Sequence, residues 1–417
     1  MVPKGWSLVD ANEICESISV GVVIKPTQYY VDENEGIKAF RSANVREGFI
    51  NDSDWVYFSH EGHLANKKSQ LKSGDVLIVR TGYPGTACVV TPEFEGANAI
   101  DIVIARPQKD KVLPEYLCAY TNSSIGKSQV LNLQGGMAQK HLNVSAYQTL
   151  KVKLPPLLEQ KKIAKVFSTW DKAIATTEKM LINSQQQKKA LINRLITGRV
   201  RFPNKNKEGT YKNTKYGEIP YDWDYVAIKD ICYQMSAKNS SGKVYPVLSC
   251  SKHDGFVDSL KYFNKKVYSD DISGYRVIPF GAFGFPSNHI EEGSIGLQTL
   301  YDFGLVSPIY VVFKADNAKV NNEYLYALLK TEHYRQIFSA ATNASVDRRG
   351  SLRWKEFSII HVPLPSREEQ DKIASALKVA SSEITLLQEK LEYLKQEKKA
   401  LMQQLLTGKR RVKTEAA

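Results

Sequence analysis

Closely spaced cysteines are missing from this 417-residue sequence: Cys15, Cys88, Cys118, Cys232 and Cys250 lie far apart and form no Cys-x-x-Cys pair. That pattern fits reduced, mostly buried thiols and excludes a disulfide scaffold or a cysteine zinc site. Long apolar runs are missing too, so no segment offers the roughly 20 residues of a bilayer-spanning helix. No charged-then-apolar leader follows Met1, and the expectation is a cytoplasmic protein with no membrane partner. Glycine-rich cofactor fingerprints, a Gly-x-Ser-x-Gly elbow and the kinase motif set are absent. So is the Asn/Asp-Pro-Pro-aromatic motif that grips a flipped adenine. The expectation is a binding protein, not an enzyme, with no catalytic residue, cofactor or metal of its own.

Two near-matches fail on inspection. The stretch "SSIGKSQ" has Thr121 where a phosphate loop needs glycine, and its lead-in reads as helix. His60 and His63 have ligand-like spacing without a carboxylate or cysteine pattern to complete a site, so a polar turn is the better reading.

Acidic residues are in deficit, leaving a formal net charge of +13. A basic surface favours a polyanionic partner, nucleic acid or a membrane surface.

What the sequence does contain is a repeat. Leu154-Pro155 aligns with Leu364-Pro365, Glu159-Gln160 with Glu369-Gln370, Lys188–Leu191 with Lys398–Leu401, and Thr197-Gly198 with Thr407-Gly408, at one constant offset and without a gap. A weaker echo pairs Pro3, Trp6, Ile14 and Cys15 with Pro220, Trp223, Ile231 and Cys232. Within the strong repeat, apolar residues step by four and three: Ile163, Phe167, Trp170, Ile174 and Leu181, then Leu191 and Leu195. Ile373, Leu377, Ile384, Leu387, Leu391 and Leu394 follow the same steps in the second copy. This heptad seam predicts two long helices that pair with each other. Prolines 155, 156 and 365 mark their starts and glycines 198 and 408 their C-caps. Each helix should run about 40 residues, roughly 60 Å. The periodicity leaves the direction of pairing open.

The halves preceding the helices show no sequence similarity beyond their edges. Both mix strand-like runs ("GDVLIVRTGYPG", "SPIYVVF") with a plausible helix, Glu115–Tyr120 in one and Glu323–Lys330 in the other. Each reads as an α+β domain. The predicted order is domain 1–153, helix 154–198, an exposed basic linker 199–216, domain 217–362, helix 363–408 and a basic tail 409–417.

"LPPLLEQKKIA" with "KKALINRLITGRVRF", and the second copy "LPSREEQDKIA" with "KKALMQQLLTGKRRV", resemble the conserved regions of type I restriction-modification specificity (S) subunits. "GEIPYDWDYV" and "VPKGWSLV" look like that family's opening of a target recognition domain. The resemblance covers the whole chain. It implies two α/β target recognition domains and an antiparallel coiled coil with pseudo-two-fold duplication. Each domain would read one half of an interrupted sequence in double-stranded DNA. The helices would bind two methyltransferase (M) subunits carrying S-adenosylmethionine, and two restriction (R) subunits using ATP and Mg would complete the complex. They would also act as a ruler between half-sites.

Base edges are read by hydrogen-bonding side chains on loops. In the first half the candidates are the turn Arg80-Thr81-Gly82-Tyr83 and the stretch Gln134, Gly135, Gly136, Gln139 and Lys140, whose glycines suit close approach to a phosphate. In the second they are Asn288 and His289 after Ser287, and Asn343, Ser345, Arg348, Arg349 and Arg353 close to Trp354. Trp6, Trp170 and Trp223 read as packing residues. Two rival readings are a coiled-coil scaffold joining proteins without sequence-specific DNA recognition, and a nuclease or methyltransferase with an unrecognised site.

Overall fold

The computed structural model describes residues 2–133, 141–202, 210–240, 242–343 and 350–413. The chain divides into two compact units, one formed by Met1–Met180 with Leu387–Ala417 and the other by Leu181–Leu386. The long helices are therefore not modules of their own. Each gives its two ends to different units, because the apolar residues at those ends belong to different cores.

Unit 1 is organised by an antiparallel sheet of β1 (Cys15–Val20), β2 (Val76–Val79), β3 (Ala87–Val89) and β4 (Ile102–Pro107), in the order β1-β4-β2-β3. Strand β2 is an unbroken apolar run because both its faces are covered. Val76 and Ile78 meet Tyr116, Leu117 and Val130 of two helices, Pro114–Asn122 and Ser124–Leu133. Leu77 and Val79 meet Phe40 and Phe94. The phosphate-loop lookalike lies on the second of these helices. Gly126 there faces the carbonyls of Tyr120 and Thr121 so closely that a Cβ would collide, a packing reason for the glycine.

Unit 2 repeats this plan with β5 (Cys232–Met235), β6 (Ala282–Pro286), β7 (Gly296–Leu297) and β8 (Tyr310–Ala315), ordered β5-β8-β6-β7 and again antiparallel. The halves thus share a frame that their sequences do not reveal. Valines and isoleucines fill the first sheet where phenylalanines (Phe283, Phe285, Phe313) fill the second. A core constrains volume and pattern more than identity. The edges also match: Ser7–Asp10 pairs with Lys151–Leu154, and Asp224–Ala227 with His361–Leu364, each antiparallel and in equivalent register.

The seam helices are α1 (Leu157–Ile196) and α2 (Arg367–Leu405). In unit 1, Asp171 pairs with Lys398 at 2.5 Å and Glu178 with Lys395 at 2.8 Å, so numbers rise on one helix as they fall on the other. In unit 2, Ser184 donates to Glu383 at 3.3 Å, and Leu195 and Ile196 share a core with Ile373 and Leu377. The pairing is antiparallel. Burial is deepest at the helix ends (Ile163, Phe167, Leu195, Ile373, Leu405), where the sheets' own cores add cover. Ile174 and Leu181 in the seam's middle are only half-buried, as a two-helix contact allows.

The repeat is imperfect at several charged positions, one of which leaves a lysine without its counterpart's partner. Lys188 is the counterpart of Lys398, but Ser381 stands where Asp171 would be. Among the described residues Lys188 has no ion-pair partner, and burial alone pulls its ammonium below the usual lysine range. Ser381→Asp is expected to stabilise unit 2 by up to about 1 kcal/mol. A denaturant midpoint that fails to rise would refute this.

The linker and the tail are not simple connectors. Val200, Phe202 and Tyr216 pack on the core of unit 2, and Tyr211–Thr214 pairs with Gly217–Pro220. Val412 packs on the core of unit 1. What read as exposed basic sequence carries apolar anchors between its charges.

Candidate nucleic-acid interface and its supporting clasps

At each helix start a glutamine ties the helix to the α+β domain before it. Gln160 is buried; its amide donates to the carbonyls of Pro155 and Lys111 at 2.9 Å each and accepts from the Leu113 N–H at 2.9 Å. Gln370 repeats this on Pro365, Lys319 and Asn321 at 2.9, 3.3 and 2.8 Å. The preceding residue makes a second attachment. Glu159 is buried and accepts from Trp6 Nε1 (3.1 Å) and from Arg411 Nε and a terminal nitrogen (2.9 and 2.6 Å). Glu369 accepts from Trp223 Nε1 (3.1 Å) and from Arg201 in the same way (2.5 and 2.8 Å). Each guanidinium also lies over its tryptophan, 5.9 Å from the Trp6 ring centroid and 5.4 Å from that of Trp223. Arg201 has a further bidentate partner, Asp222, at 2.9 Å; Asp222 first, then Glu369, hold its guanidinium above the ordinary arginine range. Gly5 takes that place in unit 1, where Arg411 donates to the Lys4 carbonyl instead.

The capping glycines complete each clasp. Gly198 and Gly408 adopt left-handed φ of 65° and 69°, and a side chain on either would strike Pro220 or Pro3. These glycines therefore serve as C-caps and as sites of close approach.

On this frame one turn in each unit is tied to a residue beside the second candidate group. In unit 1 the turn after β2 is pinned by the Leu142 N–H donating to the Arg80 carbonyl at 3.0 Å; in unit 2 the turn after β6 is pinned by the Leu352 N–H donating to the Ser287 carbonyl at 2.8 Å. Each bond joins a turn to the end of the loop that carries the second candidate group. Gln134, Gly135, Gly136, Gln139 and Lys140 lie outside the described residues, as do Ser345, Arg348, Arg349 and the side chain of Asn343.

Arg80 is placed differently from its expected role. It is 8 % exposed, donates to the Leu142 carbonyl (2.9 Å), pairs with Asp101 (2.5 Å) and meets His141 Nε2 (2.9 Å). Its donors are spent on holding the loop end against the turn. Thr81 and Tyr83 project instead, Tyr83 being 84 % exposed between Gly82 and Gly85, which have φ of 87° and 84°. In unit 2, His289 Nδ1 lies 3.2 Å from Glu292, and the side-chain amide oxygen of Asn288 is buried without a hydrogen-bond partner. Arg353 is exposed and precedes the short helix Trp354–Phe357, whose Trp354 packs on the core against Phe313. His60 and His63 lie on the helix His60–Ala65 and not in a polar turn, and His63 Nδ1 is 2.7 Å from Asn98 Oδ1. Sequence reading did not single out Glu292, nor Arg201 and Arg411. The arginines were within reach, since they share the repeat's offset with Glu159 and Glu369.

The fold and these paired turns define a duplicated recognition module. The family description that matches is the type I restriction modification DNA specificity domain, over residues 3–184 and again over 220–396. The chain belongs to this family of type I restriction-modification specificity subunits. It is 27 % identical to the type I restriction enzyme MjaVIII specificity subunit of Methanocaldococcus jannaschii, over 99 % of this chain and 94 % of that one. The EcoKI specificity subunit of Escherichia coli matches at 22 % over 62 % of this chain and 56 % of its own. In fold the chain is similar to the HsdS subunit from Thermoanaerobacter tengcongensis (TM-score 0.51, 17 % identity, 98 % of both chains). The S subunit from M. genitalium is also similar (TM-score 0.54, 11 % identity, 97 % of this chain and 96 % of that one).

Proposed function

We propose that the chain recognises a bipartite, interrupted DNA sequence, each unit reading one half, and docks two methyltransferase subunits and, through them, two restriction subunits. The observation that carries this reading is one frame built twice with unlike residues on its turns: Thr81 and Tyr83 on one, Asn288 and His289 on the other. Identical readers would select a symmetric target; unlike readers select an asymmetric one. The net charge of +13 suits a phosphate backbone. No described helix is long and apolar enough to cross a membrane. The methyltransferase partner supplies S-adenosylmethionine chemistry and the restriction partner ATP and Mg; this chain contributes position and selectivity, and works where its partners meet DNA in the cytoplasm.

Co-expression with an adenine methyltransferase subunit, followed by genome-wide mapping of methylated adenines, tests the reading. The expected result is one interrupted motif with two different halves. Methylation without a bipartite motif, or an assembled complex that methylates nothing, would overturn it.

A further inference from the structure

The reader turn of unit 2 has an unusual chemistry for a protein that meets DNA. It borders a cavity of about 480 Å³ lined by Lys252, Asn288, His289, Glu292, Ser294 and Tyr310 among others. Glu292, exposed at 56 % and with one oxygen 3.2 Å from His289 Nδ1, lines this cavity. A carboxylate beside a phosphate is repelled, so Glu292 itself does not grip the backbone. It is well suited to a base edge that donates a hydrogen bond, and in the major groove only the amino groups of adenine and cytosine donate.

Asn288 supplies the second half of the argument. Three other asparagines of the frame have committed amide oxygens: Asn44 accepts from the Arg41 N–H, Asn122 from the Ala87 N–H, and Asn98 meets His63 Nδ1. Asn288 Oδ1 is buried beside the cavity and, like the Oδ1 atoms of Asn239 and Asn322, has no donor. The turn does not depend on it, since the backbone bonds of Ser287 to Leu352 and of His289 N–H to the Pro286 carbonyl fix the chain there. An uncommitted amide on a fixed turn pairs with adenine through N6 and N7, offering one acceptor and one donor at once. Resting on the proposed function, we infer that Asn288 reads an adenine in the half-site of unit 2, and that Glu292 is the accompanying acceptor that selects an amino-bearing base and turns phosphate away.

The test is the methylation map of the full complex carrying Asn288→Ala or Glu292→Gln. For N288A one position in one half-site should lose its adenine preference by about tenfold or more, while the other half-site and the spacer stay as in the wild type. E292Q, which exchanges an acceptor oxygen for a donor, should relax the same or the adjacent position. If N288A fails to assemble, Asn288→Asp keeps the side chain's shape but removes the donor, and should likewise lose the adenine. Wild-type selectivity in every assembled variant overturns the assignment and leaves the bipartite reading intact. A wild-type complex without a bipartite motif removes both.

Discussion

Replacing Glu369 by alanine is expected to destabilise unit 2 by about 3 kcal/mol, the scale for breaking a buried ion pair from one side. Its carboxylate is 6 % exposed and satisfies two groups that cannot reach water easily, the indole N–H of the 1 %-exposed Trp223 and one edge of Arg201. Glu369→Gln keeps an acceptor for the indole but loses the charge-assisted fork, so its loss should be smaller. Glu159→Ala should cost less than Glu369→Ala, because Arg411 is 44 % exposed and can return to solvent. The measurement is hydrogen exchange of the 211–227 segment and of the first turns of α2, which should open together in Glu369→Ala. Protection unchanged there would mean that the clasp does not hold the unit closed.

Inserting seven residues after Met180 and seven after Leu386 is expected to abolish methylation of the original motif and to move it to a longer spacer with the same two half-sites. A heptad in each helix preserves the seam's phase, whereas an unmatched length would turn apolar positions outward. Seven residues add roughly 10 Å of helix, which corresponds to about three steps of DNA at ~3.4 Å each. The insertion points are the places where each helix passes from one unit's residues to the other's, so neither clasp is touched. Genome-wide methylation mapping gives the answer directly. Retention of the original spacer would show that the helices do not measure it.

Much of this architecture was legible because repetition is visible without knowing any contact. Proline and glycine bracketed both helices to within a few residues, and the alternation of four and three announced their seam. The direction of pairing was not legible, since a heptad pattern reads the same from either end. The shared sheet was hidden by its own tolerance: Val76–Val79 and Ala282–Pro286 do the same work with different volumes. Arg80 illustrates a different difficulty. An arginine in a glycine-containing turn has the composition of a DNA reader, and what absorbs it is Asp101, a non-glycine residue at φ 49° that lies 21 residues further on. Glu159 was seen as part of the repeat, yet its role needs Trp6 and Arg411, which lie near opposite ends of the sequence.

That last arrangement bears on the order in which the protein can be made. Unit 2 draws on one uninterrupted stretch, Leu181–Leu386, all of it translated before the C-terminal residues that unit 1 needs. Unit 1 must wait for Leu405, Leu406 and Arg411, although its sheet emerges first. Until then Ile163 and Phe167 lack part of their cover, and closing the unit means joining residues separated by almost the whole chain, the slow kind of contact. The half whose sheet is made first is thus the half whose last contacts are made latest.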